Sequence, residues 1–405
     1  MIDTPLTLPC GVTLSNRLVK TATSDGLGDG AGGSTEAQAR LYRRWAEGGA
    51  GLILIGEAQV DFRYPERPGN IALDEYAKCD TLRRLTAAGT TGGNQFWAQI
   101  SHAGALTFAD SGRAPLGPSA VRLPGADRDT DVRAMTADDI AAAVAAFATA
   151  ARRACDAGFT GLEVHGAHGF LISQFLSPVF NQRTDAWGGS LENRARFLFD
   201  VLHAVRAAVG PGTPVALKLN STDFQKGGFT REESRQVAAW LDAAPIDLLE
   251  ISGGTYASEE TAASSQPRKA STQAREAYFL DHAEAIRDSF TKPILVTGGF
   301  RGRAGLNAAL SGAADLTGMA RALVVEPDLP RRLLDGTATR AVEVEDRFPD
   351  PMPAGGATAW YGTQLLRIGA GGDPESALAM DAALHDYAAH DAALVVPYRA
   401  SVRER

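Results

Sequence analysis

Two histidines three residues apart, His165 and His168, sit in the run Gly161-Leu162-Glu163-Val164-His165-Gly166-Ala167-His168-Gly169-Phe170. A neutral imidazole carries one N–H and one lone pair, so two rings at this spacing can aim two N–H groups at a single acceptor oxygen. Zinc is the competing occupant, but it needs a third ligand, and neither a second histidine pair nor paired cysteines lie nearby. A second candidate is Lys218, in the apolar run Val215-Ala216-Leu217-Lys218-Leu219. A lysine in such a setting either balances a neighbouring anion or, when neutral, attacks a carbonyl as a Schiff-base nucleophile. A third is the pair of short segments Gly298-Gly299-Phe300-Arg301 and Met319-Ala320-Arg321-Ala322, where small residues stand beside arginine. Small residues let backbone N–H groups approach an anion closely. Turn glycines with surface arginines would explain either segment taken alone.

These residues need a scaffold that brings them to one place. Eight short β-rich runs recur, mostly apolar along their length: Leu18 to Ala22, Gly51 to Ile55, Gln95 to Ile100, Gly161 to His165, Pro214 to Leu219, Asp247 to Ile251, Pro293 to Thr297 and Asp315 to Gly318. Runs that do not alternate suit strands buried on both faces of a parallel sheet, and eight of them predict a single closed (β/α)8 TIM barrel of class α/β. Helices between them carry start and stop signals: Thr230-Arg231-Glu232-Glu233 reads as a capping box, Ser190 to Gly210 carries an apolar stripe, and Thr136 and Gly158 bracket another helix. Connections into strands are short, whereas those out of strands, Glu57 to Asp74, Ser101 to Met135, Gly166 to Gly189 and Ser252 to Thr272, are long. In a parallel barrel the long loops share the carboxyl face, where such barrels build their sites, and the loops after strands seven and eight form the usual phosphate site. The two glycine- or alanine-arginine segments fall at those two positions, which points to a phosphorylated ligand.

With 44% apolar and 22% charged residues over 405 positions, the chain can bury a large core. A net charge of −8 repels phosphate backbones and argues against nucleic acid as a partner. Three scattered cysteines, Cys10, Cys79 and Cys155, form neither a disulfide framework nor a metal cluster and suit a reducing cytoplasmic setting. No membrane association is expected, because the longest apolar run, Ile140 to Ala148, is too short to span a bilayer and the first ten residues lack a leader pattern. The barrel is expected over residues 1–336. Residues 337–405, with helical stretches from Ala357 to Ile368 and Glu375 to Leu394, are expected to form a C-terminal helical extension packed on the barrel or on a neighbouring subunit of a homo-oligomer.

Several motifs together resemble the old yellow enzyme family of flavin-dependent oxidoreductases: Asn16-Arg17-Leu18-Val19, Trp97-Ala98-Gln99-Ile100-Ser101-His102, His165 to Leu171, Gln174-Phe175-Leu176-Ser177-Pro178, and Asn181 to Arg194. The resemblance runs from about Leu6 to Leu334. It implies non-covalent FMN in the barrel mouth, NADH or NADPH as reductant, and a small activated alkene as the hydride acceptor. By position in the motifs, Ala22 and Ser24 would lie against the flavin with Ala58 near it, and Gln99 would bond its pyrimidine ring. Lys218 would take the place where many members have an arginine, and Gly298, Gly299, Ala320 and Arg321 would hold the phosphate. His165 and His168 would bind the substrate's electron-withdrawing oxygen, and no metal is expected. Ser24, where relatives carry threonine or cysteine, would tune the flavin. The iron–sulfur cluster and dinucleotide domain of the longer dienoyl-CoA reductase relatives are not expected.

One departure stands out: Phe170 replaces the tyrosine that usually protonates the α-carbon. A phenyl ring has no proton to give, so alkene reduction needs water or another acid. Tyr64 and Tyr256, on the long second and sixth strand-to-helix loops, are candidates. The substitution also opens double-bond isomerisation or desaturation on the same scaffold. A lyase using Lys218 and a non-catalytic phosphate-ligand barrel remain as other classes.

Overall fold

The computed structural model describes residues 1–121, 131–254 and 279–404. All eight expected strands form: β1 Leu18–Lys20, β2 Leu52–Gln59, β3 Gln95–Ser101, β4 Gly161–Gly166, β5 Val215–Asn220, β6 Leu248–Ser252, β7 Ile294–Thr297 and β8 Leu316–Met319. Each pairs in parallel with its successor, and β8 pairs with β1 through Gly318 opposite Val19, so the sheet closes on itself. The fold is a (β/α)8 TIM barrel.

Because the strands are buried on both faces, alternate residues divide into two apolar sets. Val19, Leu52, Leu54, Trp97, Ala216, Leu248, Leu295 and Leu316 point inward and fill the lower barrel. Leu14, on a short antiparallel pair Leu6–Thr7 with Thr13–Leu14, and Leu8 just beyond its first strand join them and close the floor. The intervening positions, such as Ile53, Ile55, Val164, Leu217 and Val296, face the surrounding helices. With the lower barrel filled by hydrocarbon, polar side chains one layer higher have nowhere to turn but the mouth.

The helices start where the caps predict. Thr230 and Glu233 form a reciprocal capping box at Arg231–Leu241, Thr136 and Asp139 do the same at Ala137–Asp156, and Ser190 caps Leu191–Val209. Two further helices, Gly356–Gly369 and Met380–Val402, follow the barrel, the second beginning later than expected. They lie against the barrel: Arg40 Nε donates to the Gly369 carbonyl at 2.7 Å, and Tyr398 packs between Phe62 and Phe108. Across the second strand-to-helix loop, buried Arg67 pairs with Asp391 at 2.6 Å. Among the described residues no helix is long and apolar enough to cross a membrane.

One strand departs from the expected pattern. Ile55 pairs with Ala98 and Ala58 with Ile100, so two residues of β2 stand between outward positions where β3 has one, Gln99. This bulge extends β2 through Glu57 and Ala58, which the sequence assigns to a loop, and it places Gly56 and Glu57 together on the inward side.

Candidate functional site

Two layers of polar side chains lie above the apolar plug, and strand alternation selects them. Gln99, Glu163, Lys218, Glu250 and Thr297 form the lower layer, each on the inward face of its strand. Gln99 donates Nε2 to Glu163 Oε2 at 2.7 Å, Lys218 Nζ meets Glu250 Oε1 at 3.0 Å, and Thr297 donates to the same oxygen at 2.7 Å. All are nearly out of reach of water. Burial works against the Lys218 charge, but Glu250, Glu163 and Glu57 around it prevail and raise its pKa above the usual lysine value. Glu163 shifts upward too, but for another reason: burial, reinforced by Glu250, pushes its carboxyl well above the ordinary range. The layer therefore reads as one fixed cation paired with Glu250 beside a second carboxyl, Glu163, whose ionisation burial opposes.

Above it, β4 ends in the two histidines. His165 Nε2 and His168 Nδ1 face each other at 3.0 Å. Serines hold the far nitrogens: Ser101 Oγ lies 3.4 Å from His165 Nδ1, and Ser252 Oγ lies 2.8 Å from His168 Nε2. His168 adopts φ +61°, a conformation few side chains tolerate, and Asn220 Oδ1 steadies it by accepting its backbone N–H at 3.2 Å. Burial, with His168 and Lys218 adding repulsion, keeps His165 neutral well below the usual imidazole range; burial and Lys218 bring His168 to about 3. Both rings are neutral in ordinary buffers. At 3.0 Å the facing nitrogens share one proton, so one ring presents an N–H and the other a lone pair; with an acceptor oxygen bound and each serine donating its proton, both inner nitrogens would carry hydrogen, which is the tautomer pair needed to hold one oxygen.

Phe170 is fully buried, with its ring 4.7 Å from that of His165, and it immediately precedes the short helix Leu171–Leu176. Of the two tyrosines considered as acids, Tyr64 stacks on His102 at 5.2 Å, and Tyr256 lies outside the described residues. Glu57 lies at the same level as the histidines, with Oε1 3.9 Å from His165 Nδ1. The contact is not an ion pair, because His165 is neutral and burial, with Glu66 next, raises the Glu57 carboxyl well above its ordinary value.

Around the rim, Ala22, Ser24, Gly298, Gly299, Ala320 and Arg321 are all half-buried. Ser24 donates to Glu66 Oε2 at 3.0 Å and accepts from Asn70, so its hydroxyl is engaged by the second loop. Ala58 is fully buried and its methyl belongs to the outer core, so only its backbone can serve the mouth. Gly298 and Gly299 take φ +112° and +86°, which glycine alone adopts readily. Arg321 begins Arg321–Val325 and lies 6.0 Å from the centre of the Tyr361 ring; Tyr361 in turn bonds Glu345, which pairs with Arg301. The segment after the barrel thus braces both glycine-arginine loops, a link invisible in the motifs.

The structure gathers the expected histidines, Gln99 and Lys218 in one mouth. Sequence reasoning missed Ser101, Asn220, Glu250 and Ser252 and gave Glu163 no role. Their signal was alternation: Ser101 is two residues beyond Gln99, Glu163 two before His165, and Ser252 two beyond Glu250. Glu57 had no such signal, since its inward position depends on the bulge. Among the described residues no cluster of His, Cys, Asp and Glu could hold a metal ion.

Known proteins share the sequence and the barrel. Residues 2–340 match the model of the NADH:flavin oxidoreductase / NADH oxidase family. The NADH-dependent flavin oxidoreductase iliE of Neonectria sp. is 38% identical over 84% of this chain and 48% of its own length, so the chain spans about half of that relative. The protein of the same name from Hypocrea jecorina is 36% identical, over 82% of this chain and 88% of its own. Among solved structures, a 2-naphthoyl-CoA reductase complex superposes with a TM-score of 0.77 at 30% identity, covering 83% of this chain and 52% of that one. An old yellow enzyme homologue from Zymomonas mobilis gives 0.71 at 26%, covering 85% and 95%. The chain belongs to the NADH:flavin oxidoreductase / NADH oxidase family, the old yellow enzyme family of FMN proteins.

Proposed function

We propose that the chain is an FMN-dependent NAD(P)H oxidoreductase that reduces the C=C bond of an alkene conjugated to a carbonyl or nitro group. The observation that carries this reading is the histidine pair, two neutral rings facing each other at 3.0 Å above a buried cation. The names of the relatives favour NADH over NADPH as the reductant.

The residues of the mouth fit FMN. Lys218 and Gln99 supply a cation and an amide for a pyrimidine edge that gains negative charge on reduction. Beside them the wall is bare, for a Cβ on Gly56 would stand 2.7 Å from the Ala22 methyl and 3.0 Å from Gln99 Oε1. Ala22 and Ser24 would border the ring, and Gly298, Gly299, Ala320 and Arg321 would take the phosphate. Bound there, FMN supplies hydride exchange between the nicotinamide and the alkene.

The chain's own contribution is electrostatic. An oxygen between His165 Nε2 and His168 Nδ1 collects two N–H bonds in place of the one the rings now share. As hydride reaches the β-carbon, charge builds on that oxygen, and donors already fixed by Ser101 and Ser252 need not reorganise. Loss of one such donor typically costs about 10² to 10³ in rate. A Schiff-base role for Lys218 does not suit this site, since the nucleophile must be neutral while Glu250 and its neighbours hold the ammonium protonated. The test is anaerobic: protein reduced by NADH is mixed with cyclohexenone or a nitroalkene, and the saturated product is identified. Reoxidation by oxygen alone, with no alkene consumed, would overturn the reading.

A further inference from the structure

Phe170 leaves the proposed reaction without its usual acid, and the structure puts a carboxyl beside the histidine that would need one. Glu57 is 6% exposed, and its Oε2 is buried with no hydrogen-bond partner. An orphan oxygen in such a place carries a steep desolvation penalty if ionised, and a smaller one if it bears a proton. Its Oε1 lies 3.9 Å from His165 Nδ1, on the side of the ring away from His168. The β2 bulge is what turns it inward.

We propose that Glu57 is the proton reservoir of the site, acting through His165 in place of the missing tyrosine. This rests on the alkene-reductase reading. After hydride addition the substrate is an enolate, and no further electrons move. The Nε2 proton of His165 passes to the enolate oxygen, making an enol. The Glu57 carboxyl proton passes to Nδ1, so the imidazole ends neutral in its other tautomer and Glu57 ends as carboxylate. The enol becomes the ketone by taking a solvent proton at the α-carbon and returning its oxygen proton to Nε2, while Nδ1 gives its proton back to Glu57, so both groups end as they began. Glu57 is therefore a positioning residue for protons, not a group that touches substrate.

The groups facing Glu57 support a protonated resting state. Glu66 repels its charge, Lys218 and Arg67 favour it, the Gln59 amide bonds it, and His165 is neutral; burial outweighs the favourable contacts. A reservoir of this kind empties as pH rises through its raised pKa, so alkene-dependent reoxidation should slow towards alkaline pH while bleaching by NADH follows another profile.

The test is rapid mixing of both half-reactions, across pH, in wild type, Glu57→Gln and Glu57→Asp. Glu57→Gln should slow reoxidation by cyclohexenone by about 10² to 10⁴ and abolish its alkaline limb, with the reductive step far less affected. Glu57→Asp should recover part of the rate and retain the limb. In wild type, reduction of 2-methylcyclohexenone should give racemic product, because the α-carbon is protonated from solvent. Equal reoxidation by wild type and Glu57→Gln would overturn the proposal. If both variants fail to fold, a flat pH profile or single-enantiomer product from wild type overturns it as well. Failure of wild type to reduce any activated alkene would sink both readings, whereas failure confined to these comparisons would sink only this one.

Discussion

His168 offers a sharp test, because its role requires it to be neutral and neutrality has a measurable cost. Burial and the Lys218 charge bring its pKa from 6.5 to about 3. The folded pKa is depressed, so below 6.5 the unfolded chain binds a proton that the folded chain refuses, and stability falls as pH falls. At about pH 5 this linkage amounts to about 2 kcal/mol for a fully shielded ring. Partial exposure of His168 lets water reach the ring and lowers the expectation to about 1 to 2 kcal/mol. The perturbation is His168→Gln, which removes the titration while keeping a polar side chain. Urea unfolding followed by tryptophan fluorescence, at about pH 7.5 and about pH 5, should show the variant gaining that much on wild type as pH drops. Other titrating groups, including the raised carboxyls of Glu57 and Glu163, act in both proteins and largely cancel in the comparison. A difference that stays constant between the two pH values would refute the neutral-ring argument.

Three further outcomes follow from the site. A phenol should bind the oxidised FMN protein with a long-wavelength charge-transfer band, and His165→Ala with His168→Ala should abolish the band while FMN stays bound, a loss of about 3 to 6 kcal/mol in phenol binding. Lys218→Met should leave Glu250 buried without its cation and lower stability by about 3 to 5 kcal/mol in urea titrations at neutral pH; an unchanged midpoint would contradict the ion-pair geometry. Phe170→Tyr introduces an acid beside His165 and should restore part of the reoxidation rate lost in Glu57→Gln; no recovery in the double variant would show that this position cannot deliver a proton here.

The barrel was legible because each strand is a nearly unbroken apolar run and each long loop leaves a strand end, a pattern imposed by burial on both faces. The histidine pair was legible for the same reason, since strand ends of this fold all open into one mouth. Much of the recognisable stretch from Asn181 to Arg194 turns out to be framework: Asn181 bonds the carbonyls of Phe175 and Trp187, and Arg183 those of Pro118 and Met135. What stayed hidden depended on register or on distant packing. Glu57 looked like the first residue of a loop, because an extra residue in β2 cannot be read from composition. The bracing of Arg301 through Glu345 joins positions 44 apart and leaves no local trace. Lys20 looked like an ordinary strand residue, yet it is completely buried over Trp45 at 3.9 Å and donates to Thr23 at 2.6 Å, tying down the loop that carries Ala22 and Ser24.

The central claim is that this mouth holds FMN and passes hydride from a nicotinamide to an activated alkene. The most direct measurement is the visible spectrum of FMN-loaded protein, kept anaerobic, on adding NADH and then cyclohexenone or a nitroalkene. The account predicts a yellow protein that bleaches with NADH and regains its colour as the alkene is consumed. A colourless protein that cannot be reconstituted with FMN, or a flavin that NADH does not bleach, would contradict it.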